Sequence, residues 1–191
     1  MSKPIAFVEG ATGGIGSAVV KALEASGHAI VTDYLSARNA VCVVNAAGAF
    51  IAGDRAYTAT MYADNIEIAD KILSVFTPIL KNRDSARIIT IGSIDCLYPN
   101  TNAYAYSIAK ASVRTLVHLY RKQYKGSKLN FDLILPGATN TKMRAHKQED
   151  KAALIQPDDI GRLCAMLMAC GSNVAFDDII IYPKSFSYGG L

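Results

Sequence analysis

Short unbroken apolar runs alternate along this chain with longer stretches in which apolar residues return every three or four positions. The runs Pro4 to Glu9, Ala29 to Thr32, Ala40 to Val44, Arg87 to Ile91, Phe131 to Leu135 and Asp178 to Tyr182 are four to six residues long, as strands buried on both faces are. Ser17 to Ser26, Ala56 to Asn82, Ala103 to Tyr124 and Pro157 to Cys170 carry the helical period instead. Gly27 stops the first helix, and Pro157 opens the last with Asp158 and Asp159 in its first turn. Pro78 is expected to bend or interrupt the second. Strands and helices in alternation predict one α/β domain over residues 1–191, a doubly wound parallel sheet with helices on both faces.

One connection is too short for that plan. Only six residues, Tyr34 to Asn39, separate Asp33, which ends the second run, from the third, whereas a crossover helix with a further strand needs at least ~10–12 residues. Either one βα unit is lacking or the link crosses directly over the sheet.

Composition narrows the class. With 191 residues, 51% of them hydrophobic and 19% charged, the chain buries a core and is not disordered. No apolar run reaches the ~18 residues of a membrane span, and glycines interrupt the N-terminal apolar stretch too early for a signal peptide. A soluble cytoplasmic protein without a membrane partner is expected. Cys42, Cys96, Cys164 and Cys170 form no C-x-x-C pair and read as small core residues. His28, His118 and His146 are scattered, so no metal site is expected, and a net charge of +4 does not point to nucleic acid.

The candidate chemistry lies where strands end. The first run turns into Gly10, Ala11, Thr12, Gly13, Gly14, Ile15 and Gly16 before a helix, an arrangement in which backbone N–H groups cradle a phosphate. Asp33 ends the second strand, where a carboxylate holds the ribose hydroxyls of NAD and repels the 2′-phosphate of NADP; a solvated loop acid is the equal alternative. Ser93 follows the strand Arg87 to Ile91, and Tyr106 and Lys110 stand one helical turn apart thirteen residues later. A phenol beside a cation has its pKa pulled down from ~10 toward working pH, and a serine hydroxyl holds the reacting oxygen. Together they suit proton transfer at a carbonyl or alcohol oxygen.

In that order the residues resemble the short-chain dehydrogenase/reductase family over nearly the whole chain, as an unusually short member with a Rossmann-like fold. Gly10, Gly14 and Gly16 match its glycine turn, and Asn45, Ala46, Ala47 and Gly48 resemble its N-N-A-G strand end. Ser93, Tyr106 and Lys110 match its catalytic set, Asn65 falls at its helix asparagine, and Pro136 and Gly137 with Thr139 and Thr141 resemble its P-G-x-x-x-T segment beside nicotinamide. The resemblance implies an NAD(P)-dependent enzyme that interconverts a carbonyl and a secondary alcohol. Tyr106 would be the acid/base, Lys110 would lower its pKa and bind the nicotinamide ribose, Ser93 would orient the substrate oxygen, and Asn65 would hold a relay water. It also implies a homodimer or homotetramer packed through the two long helices.

Several departures weigh on the cofactor more than on the catalytic set. Glu9 replaces the usual Thr, the βα unit after Asp33 is missing, the stretch from Thr141 to Pro157 is short, and the C-terminal segment lacks the usual D-G-G. A dinucleotide-binding regulatory protein without turnover is therefore the second reading. Eight Lys and Arg between Arg114 and Lys147 face one acid, Asp132. They are a solvated basic face, or else Lys142, Arg144 and Lys147 draw in an anionic substrate, which keeps a nucleotide-sugar reductase or epimerase-like activity as a third reading.

Overall fold

Six parallel strands form one sheet in the computed structural model, which describes residues 2–50, 58–145 and 147–184. They are β1 (Ile5–Glu9), β2 (Ala29–Val31), β3 (Ala40–Asn45), β4 (Arg87–Ile91), β5 (Asn130–Pro136) and β6 (Asp178–Ile181). Their order is β2-β1-β3-β4-β5-β6. After β2 the chain steps back over β1 to the far side, so the winding direction reverses between β1 and β3. The crevice at the carboxyl ends of those two strands is where sheets of this kind bind ligands.

Alternation along each strand sends side chains into two separate cores. Ala6, Val8, Cys42, Val44, Ile89 and Ile134 pack on one face beneath α1 (Gly14–Ala25) and α5 (Pro157–Ala169). Gly161 lets those two helices touch: a Cβ there would stand 2.5 Å from the Ala18 carbonyl oxygen. Phe7, Val43, Ile88, Phe131 and Leu133 pack on the other face beneath α3 (Ile68–Leu80) and α4 (Tyr104–Gln123). The expected helices and strands are all present, with ends displaced by one to three residues; residues 56 and 57 of the second helical stretch lie outside the described residues.

Two expectations about that second stretch are refined. Pro78 does not interrupt it, because it sits in the last turn of α3 and the helix ends at Leu80. The irregularity lies earlier, where α2 (Thr58–Tyr62) passes into α3 through a wide π turn at Ala63–Glu67 that contains Asn65.

The short link of six residues crosses directly. It runs over β1 on the α3 side as a 3-10 turn, Ser36–Asn39, and no further strand is present beyond β2 among the described residues. Tyr34 packs on Phe7 and Phe76 with ring centroids 4.9 and 5.6 Å apart, and its hydroxyl donates to Glu9 at 3.0 Å. Arg83 holds the link from α3's side by donating to the Arg38 carbonyl at 2.8 Å. Ala37 and Ala40 are fully buried beneath it. A compact plug thus replaces the missing unit, and Glu9, the residue out of pattern, supplies its hydrogen-bond acceptor.

Half of the basic run is tied up in ion pairs. Arg114 and Arg121 pair with Asp178, Lys128 with Asp84, and Arg144 with Glu149. His118 joins the first group, 2.8 Å from Asp178. Asp132, the one acid in the run, is fully buried and pairs at 2.9 Å with Arg87, whose other nitrogen donates to the Gly171 and Val174 carbonyls.

Candidate active site

The glycine turn builds the floor of the site. Gly10 has φ +75, and a Cβ there would meet the Ala47 nitrogen at 2.7 Å, so only glycine lets β1 turn this tightly against the end of β3. At Gly16 an added Cβ would stand 2.0 Å from the Gly10 carbonyl oxygen. Helix α1 then begins after Gly13 with no side chain capping it. Its first N–H groups remain open toward the crevice, with the positive end of the helix behind them.

A cavity of about 480 Å³ opens above this turn. Thr12, Gly13, Gly14 and Ile15 line it from the turn, and Ala46, Ala47 and Gly48 from the end of β3. Ser93, Tyr106 and Lys110 face it from β4 and α4, while Pro136, Gly137, Thr139 and Thr141 close it from the end of β5. Gly10 and Gly16 shape the turn from behind. Asn45 supports its own loop, accepting from the Ala47 N–H at 3.2 Å.

Asp33 stands apart from this cavity. It is exposed and accepts the Ser36 N–H at 2.8 Å, which holds its carboxyl below the usual range. Asn65 does not line the cavity either, yet it touches the wall. Its amide nitrogen donates to the Met61 carbonyl at 2.9 Å and the Ala49 carbonyl at 3.1 Å. Its Oδ1 is buried without a hydrogen-bond partner among the described residues, and a Cβ on Gly48 would lie 2.8 Å from it and 3.0 Å from Lys110 Nζ. An acceptor and a cation therefore flank the same glycine.

The electrostatics differ from what spacing alone predicts. Lys110 Nζ lies 5.5 Å from the centre of the Tyr106 ring. Tyr106 is nevertheless pushed up to about 12, chiefly by burial, with Ser93 pulling the other way by hydrogen bonding and Asp95 adding to the rise. Burial also brings Lys110, only 5% exposed, down to about 8. Desolvation outweighs the cation here. At neutral pH the tyrosine is a phenol and the lysine is still mostly charged.

Three contributors escaped the sequence reading. Phe50 packs edge-on against Tyr106, centroids 5.1 Å apart, and fixes its ring. Met143 follows Thr141 into the cavity wall. Asp95 puts a carboxylate in the cavity two residues after Ser93, and its N–H donates to Ser93 Oγ at 3.2 Å. Only that adjacency to Ser93 was visible in the sequence.

A family model for short chain dehydrogenases matches residues 39–152. A 3-oxoacyl-[acyl-carrier-protein] reductase of rhamnolipid biosynthesis from Pseudomonas aeruginosa is 30% identical over 131 residues, 63% of this chain and 50% of that protein. A probable NADP-dependent dehydrogenase from Haemophilus influenzae is 25% identical over 142 residues, 69% of this chain and 56% of that one. The chain spans about half the length of these curated relatives. Among solved structures, the closed form of a serine dehydrogenase complexed with NADP+ superposes with a TM-score of 0.81 at 20% identity, covering 98% of each chain. A short chain dehydrogenase from Burkholderia cenocepacia in complex with NADP gives 0.80 at 16% identity, over 94% of this chain and 88% of that one. The chain belongs to the short chain dehydrogenase family.

Proposed function

We propose that the protein is an NAD(P)-dependent oxidoreductase that interconverts a carbonyl and a secondary alcohol. The observation that carries this reading is that Ser93, Tyr106 and Lys110 share one cavity with the glycine turn and the Pro136 to Thr141 segment. The donor set fits a nicotinamide dinucleotide. The uncapped N-terminus of α1 suits its diphosphate, and Gly14, where a Cβ would meet Thr141 at 2.9 Å, keeps that approach clear. Lys110 and Gly48 suit the ribose, and Pro136, Gly137 and Thr139 suit the nicotinamide end. Such a cofactor, when bound, supplies hydride-transfer chemistry.

The chain's own part is proton transfer. Ser93 donates to the substrate oxygen and keeps it against the Tyr106 hydroxyl. Tyr106 gives its proton to that oxygen when a carbonyl is reduced and takes it back when an alcohol is oxidised. Lys110 places its charge beneath the phenol and steadies the phenolate left after donation. Asn65 holds the far side of that amine through its free Oδ1 and the water it can bind. A phenol held at about 12 stays protonated near neutral pH, so the form that carbonyl reduction needs is the populated one and the phenolate that alcohol oxidation needs is scarce.

The test is Tyr106→Phe with a panel of small ketones. Turnover is expected to fall about 10²–10⁴-fold while the thermal unfolding curve stays in place. A fully active Tyr106→Phe protein sinks the reading. Titration with NADH and NADPH, followed by cofactor fluorescence, addresses the nucleotide. Asp33 favours NADH, and equal or tighter binding of NADPH would remove it from the ribose site. Relatives and neighbours that handle NADP support a nicotinamide cofactor of either kind. The self-association implied by the resemblance would use α3 and α4; the π turn that leads into α3 forms a shallow apolar groove with α4 at Ile66, Ile108 and Leu116.

A further inference from the structure

Asp95 and Lys147 face the same cavity as Ser93 and Tyr106 but come from separate elements. Asp95 stands in the short turn Ile94–Cys96 after β4, and Lys147 in the lid between Thr141 and Pro157. Through their side chains, neither makes a hydrogen bond or a close ion pair among the described residues. The other cations of the lid are placed differently. Arg144 is held in a forked pair by Glu149, at 2.7 and 2.9 Å, and Lys142 is exposed. Lys151, also partly buried, donates its amine to the Arg144 and Lys147 carbonyls at 2.9 and 3.0 Å, so among the described residues Lys147 is the partly buried lid cation whose amine has no close partner.

A half-buried carboxylate without an ion-pair contact in this position has a chemical cost. Burial raises the Asp95 pKa, against the pull of Lys147, Arg144 and Lys110. Its charge also raises that of Tyr106, which opposes phenolate formation. A neutral hydroxyl on the substrate would satisfy a lone pair of Asp95 but leave that charge in place. A substrate ammonium would satisfy and neutralise it together. Lys147, which lines the same cavity, offers the matching site for an acid group, and the cavity, which also has to admit the nicotinamide end, leaves room for a small molecule only.

Resting on the reaction proposed above, we infer that the substrate is a small zwitterion, an alcohol or ketone whose amino group binds Asp95 and whose carboxylate binds Lys147. The anionic group expected from the basic lid is then half of the recognition. Asp95 supplies the other half and acts as a specificity residue.

The test measures kcat/KM, with cofactor saturating, for a small β-hydroxy α-amino acid, its N-acetyl derivative, its amide and a neutral secondary alcohol of similar size. The wild-type protein is expected to prefer the free zwitterion to both derivatives by about tenfold or more, the worth of one charged hydrogen bond. In Asp95→Asn the ratio of zwitterion to N-acetyl derivative should fall to near one, and Asp95→Glu should restore part of it. In Lys147→Gln the ratio of zwitterion to amide should collapse instead. Equal use of neutral and charged compounds, or Asp95→Asn lowering every rate alike with the ratios intact, overturns the inference and leaves the oxidoreductase reading standing. If no compound turns over although cofactor binds, the oxidoreductase reading fails. Calorimetric titration of the zwitterion then decides the inference by itself. Binding weakened about tenfold in Asp95→Asn upholds it, and absent or unchanged binding refutes it.

Discussion

The side-chain amide of Asn65 donates to the carbonyl of Ala49 at 3.1 Å and so ties the wide helical turn to the loop that leaves β3. Its second bond, to Met61, returns a partner to a carbonyl in the stretch where the helix opens into a π turn. Both amide protons are spent in this way, which aims the free Oδ1 at Gly48 and the Lys110 amine. One asparagine therefore sets the position of the strand end and of the polar group behind Lys110.

Gly48→Ala puts that arrangement to the test. The new methyl would enter the gap between Asn65 Oδ1 and Lys110 Nζ, 2.8 and 3.0 Å away. We expect kcat/KM to fall by about 10²-fold, the scale of a misplacement of roughly 1 Å near the reacting groups. The fold should survive, as far-ultraviolet circular dichroism would show. An unchanged kcat/KM would mean that Lys110 does not depend on this gap.

Lys110→Met is expected to stabilise the fold while abolishing turnover. Burial lowers the folded-state pKa from 10.5 to about 8, so carrying this charge costs roughly 3–4 kcal/mol, about 1.4 kcal/mol per pKa unit. The sign follows from proton binding. The cost is full below about pH 8, shrinks as pH rises to 10.5, where the unfolded lysine also loses its proton, and is absent above. Urea denaturation of both proteins at neutral and at high pH should show the gap closing. A variant less stable at neutral pH would contradict this.

The two directions of the proposed reaction should separate with pH. Tyr106 is held at about 12 and Lys110 at about 8, so at neutral pH the phenol keeps its proton and the amine its charge. Carbonyl reduction should hold steady there and decline above pH of about 8 as Lys110 loses its charge. Alcohol oxidation needs the phenolate and should climb over the same interval. Initial rates in both directions, at saturating cofactor, measure this; parallel profiles would refute it.

Arg87→Met should be among the most damaging changes away from the cavity. It leaves Asp132 fully buried without its cation and unties the Gly171 and Val174 carbonyls before β6. The expected loss is about 3–5 kcal/mol, with much of it recovered when Asp132→Leu is added. Chemical denaturation of the single and double variants measures both.

Tyr34→Ala removes the plug that covers β1. The lost ring contacts with Phe7 and Phe76, and the lost bond to Glu9, should cost about 2–4 kcal/mol, near the low end for an aromatic truncated in a core. A melting temperature equal to that of the parent would show that the link does not seal the sheet.

Much of the architecture was legible because periodicity reports burial. Arg87 to Ile91 reads as a strand and is one, and Ala103 to Tyr124 reads as the helix that presents Tyr106 and Lys110. The convergence of these two residues with Ser93 was also legible, since strand end and helix spacing determine it. Charge was less so. Lys110 beside Tyr106 suggests a lowered phenol pKa, but burial depends on the whole fold and reverses the outcome. Asp132 and Arg114 looked like neighbours in a basic run, whereas their partners Arg87 and Asp178 lie far away in sequence. The π turn at Asn65 leaves no mark in composition, and Asp95 gained meaning only when the lid was seen to face it.

The direct step from β2 across β1 also leaves the sheet with an unusual border. Where a further strand would have covered it, β2 ends the sheet with three residues, Ala29, Ile30 and Val31, and an open row of backbone donors and acceptors. Such rims recruit other chains when they are long and flat. Here the rim extends only about 10 Å before Asp33 and the polar turn bend the chain away. Lengthening β2, for example by replacing the turn with β-branched residues, would therefore turn this short rim into a template for edge-to-edge aggregation.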